Sequence, residues 1–261
     1  RRVAISAGQN IYTPENTYVT NPIYNDRPYA AWLYASFALQ YTYKRHDPRT
    51  GIDEPTRLDT LQLDLGVIGP AAGGEFVQNY FQSLIGVASA NGWANLLHNE
   101  PTLGIYFERR WRTGRSTLIE DPKLEVDFIP RMGAALGNVA TYASVGATGR
   151  IGKNLRDDFG PTRARPALPG SEAFIGDGSF GWYLFAGLDA QAVARNIFLD
   201  GNTDGFSQSV GHRPFVGEAQ VGFALLYGGV RFTYTQVLRT PEFYQQDRFT
   251  QFGSVNVTFR Y

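Results

Sequence analysis

Ser254-Val255-Asn256-Val257-Thr258-Phe259-Arg260-Tyr261, the last eight residues, alternate polar and apolar side chains without a break. Successive side chains of an extended strand point to opposite faces. Val255, Val257, Phe259 and Tyr261 therefore share one face, and Ser254, Asn256, Thr258 and Arg260 the other. A helix would scatter the same residues around its axis. The pattern recurs upstream, where Leu61, Leu63, Leu65 and Val67 alternate with Thr60, Gln62, Asp64 and Gly66. One face suits lipid and the other a wet lumen, in segments of about ten residues, the length a tilted membrane strand needs.

Working outward from these two segments, ten strands are predicted near 2–11, 28–43, 57–68, 102–112, 123–134, 138–149, 180–192, 214–226, 229–239 and 249–261. Tyr227-Gly228-Gly229 reads as a hairpin turn. The expected fold is all-β: an antiparallel up-and-down transmembrane β-barrel formed by residues 1–261 as a single domain, with a short helix in an outer loop. Alternation alone also fits a soluble lipocalin-like barrel or sandwich, whose apolar face would turn inward. The aromatic residues favour the membrane form, because Tyr12, Tyr29, Trp32, Tyr41, Tyr43, Trp111, Trp182, Tyr183, Tyr227 and Tyr261 fall near strand ends, where interfacial girdles sit. If the chain ends on the periplasmic side, loops 12–27, 69–99, 193–213 and 240–248 share the outer end. Residues 44–56, 113–122, the Gly-Gly turn and 150–179 then share the opposite one.

Composition narrows the chemistry. The 24 basic and 24 acidic residues leave no net charge to attract nucleic acid. The absence of cysteine removes disulfides and thiolate chemistry and leaves the redox compartment open. No stretch reaches the roughly 18 apolar residues of a spanning helix. Gly-x-Ser-x-Gly is absent, which excludes an α/β-hydrolase nucleophile elbow, and Gly73-Gly74 lacks the Gly-Lys of a phosphate loop. Asp200, Asn202 and Asp204 have the spacing of a calcium loop's opening, but the position of its distal Glu is Gly211, so the segment reads as a polar outer loop. Of the three histidines, His46 lies in a charged turn and His212 in an outer loop. His98 follows the predicted helix and is the one placed to approach it.

That helix is read from Glu75-Phe76-Val77-Gln78-Asn79-Tyr80-Phe81-Gln82-Ser83-Leu84-Ile85, in which Val77, Phe81, Leu84 and Ile85 form one stripe. Gln78 and Gln82 lie one turn apart on a common face. The expectation is a helix at the barrel mouth, its apolar stripe packed on the wall or loops and its glutamines projecting together toward the lipid surface.

Longer motifs carry a resemblance. Gly66-Val67-Ile68-Gly69-Pro70, then Gly73-Gly74-Glu75-Phe76-Val77-Gln78-Asn79 and Ile85-Gly86, are similar to the signature of the outer-membrane lipid A 3'-O-deacylase family, the LpxR type. Gln9-Asn10-Ile11-Tyr12-Thr13-Pro14, Asp26-Arg27-Pro28-Tyr29-Ala30-Ala31-Trp32-Leu33-Tyr34, Asn99-Glu100-Pro101, Glu108-Arg109-Arg110-Trp111 and the ending after Phe252-Gly253-Ser254 resemble it too. The resemblance implies a twelve-stranded barrel of the bacterial outer membrane that hydrolyses the 3'-acyloxyacyl ester of lipid A with calcium as cofactor. The ten strands read here correspond to the last ten, so two more are expected before Arg1; otherwise strands 2–11 and 249–261 pair directly. The family's first two strands carry an Asn-Asp pair and an Asp-Tyr-Thr segment that contribute to its site; neither occurs in this sequence. Its helix bears a Gln and, four residues later, a His that activates water; these catalytic positions fall on Gln78 and Gln82. Its oxyanion-stabilising lysine falls in loop 12–27, where Arg27 is the only cation and is expected to form a structural ion pair. The implied partner is outer-membrane lipid, lipid A in particular. An alternative is a non-catalytic outer-membrane barrel with a structural, lipid-contacting or partner-binding role.

Overall fold

The computed structural model describes residues 1–48, 51–121, 123–155, 158–161 and 180–259. Eleven strands form one antiparallel, curled sheet: β1 (Arg2–Tyr12), β2 (Ala30–Asp47), β3 (Ile52–Ile68), β4 (Glu100–Trp111), β5 (Thr113–Ile119), β6 (Leu124–Gly137), β7 (Ala140–Lys153), β8 (Gly181–Asn196), β9 (Phe215–Tyr227), β10 (Val230–Arg239) and β11 (Thr250–Phe259). β4 and β5 both pair with β6, one beyond the other, so the path holds ten strands in chain order. Among the described residues no ladder joins β1 to β11, so direct closure into a smaller barrel is not observed.

The two faces settle which side of the sheet is dry. Leu61, Leu63 and Leu65 of β3 are exposed, whereas Gln62 and Asp64 between them are buried. Register carries this across the sheet: Leu33↔Val67, Phe37↔Leu63 and Leu39↔Leu61 align outside, and Ser36↔Asp64 and Ala38↔Gln62 inside. A soluble barrel would show the reverse, so the lipocalin-like reading fails and the outward apolar band is that of a membrane barrel.

The lumen is filled by ion pairs. Arg150 meets Asp127 and Asp158, Tyr183 donates its hydroxyl to Asp158 at 2.6 Å, and Arg231 reaches the same carboxylate at 3.1 Å. Asp158, Leu155 and Phe159 are buried, so the connection after β7 folds back into the barrel instead of hanging from it. That return accounts for part of the length predicted for 150–179; residues 162–179 lie outside the described residues, as do Arg260 and Tyr261.

Three expectations need correction. Residues 44–47 and 52–56, read as a turn, extend the β2–β3 hairpin, and 113–119 form β5. Charged residues suggest a turn, yet strands that project past the bilayer need no apolar face, and His46 pairs with Asp53 across this one at 3.1 Å. The aromatic residues also divide by parity. Tyr41, Tyr43 and Tyr227 face outward, but Trp32 and Tyr183 are buried on the lumen side, Trp32 donating to Thr102 Oγ1 at 2.9 Å. The Tyr227-Gly228-Gly229 hairpin is as read: both glycines have positive φ, 56° and 87°, as a two-residue type I′ turn requires.

Candidate functional site

The predicted helix is α1 (Gly74–Leu84), which follows β3 and a single 3₁₀ turn at Pro70–Ala72. Gly73 begins it from a left-handed conformation, φ 69°. A Cβ on Gly74 would lie 2.3 Å from the Ala31 Cβ and 3.5 Å from Ile11, so only glycine lets the helix approach so closely. Ile11 and Ala31 are direct partners in the β1–β2 ladder. Both carry the odd numbering of the outward residues Val3, Ile5, Leu33 and Phe37. The helix therefore lies against the outer surface of the wall near its rim, not over the mouth as expected. Gln9 on the same outward face fastens it, donating Nε2 to the Ala72 carbonyl at 2.6 Å.

Chain returning from the helix packs beside it. Tyr29, Ala31, Ala72, Ala90 and Trp93 form a small core with Ile11 and Leu96. Asn91 and Asn95 tie this return to loop 13–29 through the carbonyls of Tyr18 and Thr20. The Ala90 N–H donates to both Asn79 Oδ1 and Gln82 Oε1, each at 3.2 Å. Gln78 Oε1 is buried with no hydrogen-bond partner among the described residues, and so is the indole N–H of Trp93. The structure thus keeps Gln78 and Gln82 on one face, as their spacing predicts, but turns that face toward protein. Val77, Phe81, Leu84 and Ile85, expected to pack on the wall, are exposed. The cause lies beneath the helix: a backbone N–H there offers Gln82 a partner, while the glycine contact with Ala31 leaves no room for large apolar side chains.

Other sequence candidates are accounted for. Arg27 forms the expected ion pair, with Glu242 at 2.9 Å, and is directed to the mouth rather than to α1. Burial pushes the Glu242 carboxyl up, but Arg239 and Arg27 outweigh it and hold its pKa below the ordinary glutamate value. His98 is held by its backbone: Asn202 accepts from its N–H at 2.9 Å and donates to its carbonyl at 3.0 Å. Asp200, Asn202 and Asp204 do not converge. Asp200 takes His212 at 2.5 Å, Asn202 takes His98, and Asp204 accepts from the Phe206 N–H. Among the described residues no group of three or more acidic or histidine side chains is arranged to hold a metal.

The sequence reading missed two features here. Glu100 joins three segments, accepting from Asn138, Asn202 and Thr203. The motif Asn99-Glu100-Pro101 was visible, but its partners are remote in sequence. The buried indole of Trp93 gave no signal beyond its residue type.

With this geometry in place, the comparisons with known proteins agree. A family model described as "Outer membrane protein LpxR" matches residues 1–261. A solved structure, LpxR from Salmonella typhimurium, superposes with a TM-score of 0.81 at 23% identity, over 99% of this chain and 83% of that one. At that identity the likeness concerns the fold. No curated protein matches.

Proposed function

Since this chain belongs to the family of the outer membrane protein LpxR and is a barrel of the outer membrane, we propose that it works at the lipid A surface as a deacylase-type barrel. In this reading its loop helix keeps the site's framework and lacks the general base. The observation that carries the reading is Gln82. It stands one turn beyond Gln78 at the position where the family resemblance implies histidine, and its carboxamide oxygen accepts from the Ala90 N–H. Ester hydrolysis needs a group that takes a proton from water as the water attacks the acyl carbonyl. A neutral imidazole does this near pH 7; a carboxamide has no usable basicity. Losing such a base costs roughly 10²- to 10⁴-fold in rate.

The test is mass spectrometry of lipid A from cells expressing the full-length protein or its Gln82→His variant, with calcium supplied. Little or no release of the 3'-acyloxyacyl group is expected from the Gln82 form, and a gain from Gln82→His only where the upstream Asn-Asp segment is restored. Robust release by the Gln82 form would show that another residue supplies the base, with His98 the first to test, and would overturn the proposal. The inward hydrogen bond of Gln82 also favours a second reading, a non-catalytic barrel with a structural, lipid-contacting or partner-binding role. That reading requires Gln82→His to gain nothing even with the upstream Asn-Asp segment restored and calcium supplied.

A further inference from the structure

We propose that α1 is a membrane-contacting element: it lies at the upper boundary of the outer leaflet with its apolar face against lipid acyl chains. The inference rests on the outer-membrane assignment and not on the deacylase reading.

The first observation is exposure. Phe76 is 74% exposed, Tyr80 58%, Phe81 60%, Leu84 65% and Ile85 56%, on and just after a helix of 11 residues. Water-soluble surfaces rarely gather so many large apolar side chains on one element. The polar stripe of Gln78, Asn79 and Gln82 turns the other way, to the protein. A helix in water inverts that arrangement; one lying in a membrane boundary adopts it.

Position is the second observation. Going along β3, the last outward charges are Arg57 and Asp59, and Asp59 is held by Arg109 at 2.8 Å. Above them come Leu61, Leu63, Leu65 and Val67, and then the helix. About eight residues at about 3.3 Å each, tilted about 40°, rise roughly 20 Å along the membrane normal, close to the height of an outward apolar band of about 25 Å. The band therefore ends where α1 begins, and the apolar face of the helix continues the surface that the barrel presents to lipid.

The third observation is asymmetry of the aromatic residues. The outward residues Tyr41, Tyr43 and Tyr227 lie at the end of the strands opposite α1. At the α1 end of this sector the exposed aromatics include Phe76, Tyr80 and Phe81 of the helix, with Phe76 and Tyr80 stacked at 6.0 Å, and Tyr18 and Tyr24 of the neighbouring loop 13–29. They occupy the level at which a second girdle is needed.

Residues 1–261 contain no cysteine, so single nitroxide labels can be placed cleanly once any cysteine outside them is replaced by serine. The experiment compares Phe81→Cys, Leu84→Cys and Ser83→Cys, with Leu63→Cys in the wall as reference, each labelled in the full-length protein reconstituted in phosphatidylethanolamine and phosphatidylglycerol vesicles. Relaxation by oxygen is read against relaxation by a water-soluble nickel chelate. Labels at 81 and 84 are expected to favour oxygen several-fold over the label at 83 and to approach the label at 63. Ratios at 81 and 84 equal to that at 83 and well below that at 63 would place the face in water and overturn the proposal. Low access to both reagents would mean that another segment or a second copy covers the face, which also overturns it. A label at 63 that reports water would remove the membrane assignment itself and the helix placement with it.

Discussion

Glu242 stands between two guanidiniums, Arg27 at 2.9 Å and Arg239 at 3.2 Å, and joins loop 13–29 to the end of β10. Its pKa is lower in the folded protein than the ordinary glutamate value of about 4.3. The contribution of the cluster is thus complete above that value and is lost as pH falls through it toward the folded value. Unfolding in detergent at a series of pH values should show Glu242→Gln weaker than the parent by about 1–3 kcal/mol near pH 7, with the gap closing below about pH 4. An unchanged gap in acid would exclude the linkage. Gly74 offers a second test at this scale. Gly74→Val adds a side chain whose Cβ would stand 2.3 Å from that of Ala31, so α1 must lift from the wall, at a cost of about 1–3 kcal/mol. Limited proteolysis within 74–90 should quicken while the strands stay protected. At this scale the sequence was partly legible: Gln82 as a group without basicity needs only its residue type, whereas the direction in which it points depends on Ala90 and Ala31.

Among the elements, β3 is the most informative because both its faces are explained. Leu63→Arg would place a charge at the middle of the outward band and should cost about 2–4 kcal/mol in refolding into vesicles. Leu63→Phe, which keeps the face apolar, should cost far less. If the two cost the same, the outward face is not in lipid. The hairpin between β9 and β10 turns on Gly228 and Gly229, both with positive φ, so Gly229→Val should slow refolding and lower stability through backbone strain. Strand position and face were readable from alternation for β3 and β11. The ends were not, because β2 and β3 run on past the bilayer through charged residues, and local polarity does not distinguish a projecting hairpin from a turn.

For the whole molecule, a sheet of ten strands in path order surrounds a lumen packed with ion pairs, of which Asp158 is a centre, facing Arg150, Arg231 and Tyr183. Asp158→Asn removes the charge those arginines face, and breaking a buried pair of this kind costs about 3–5 kcal/mol. Unboiled samples of the parent should migrate differently from boiled ones on a detergent gel, and the variant should lose that difference at a lower temperature. Equal transition temperatures would mean that the returning segment adds nothing. The edges of β1 and β11 carry no ladder to one another among the described residues. Fold class, strand order along the path and the presence of Gln at 78 and 82 all follow from the chain read in order. Alternation, turn chemistry and residue type are local properties, readable a few residues at a time. The three-dimensional arrangement alone reveals that α1 lies outside the wall, that its glutamines face protein and its aromatics face out, and that the segment after β7 enters the lumen. Those outcomes depend on contacts such as Gly74 with Ala31 and Asp158 with Arg231, between residues far apart in the chain, and no local pattern encodes which of them will meet.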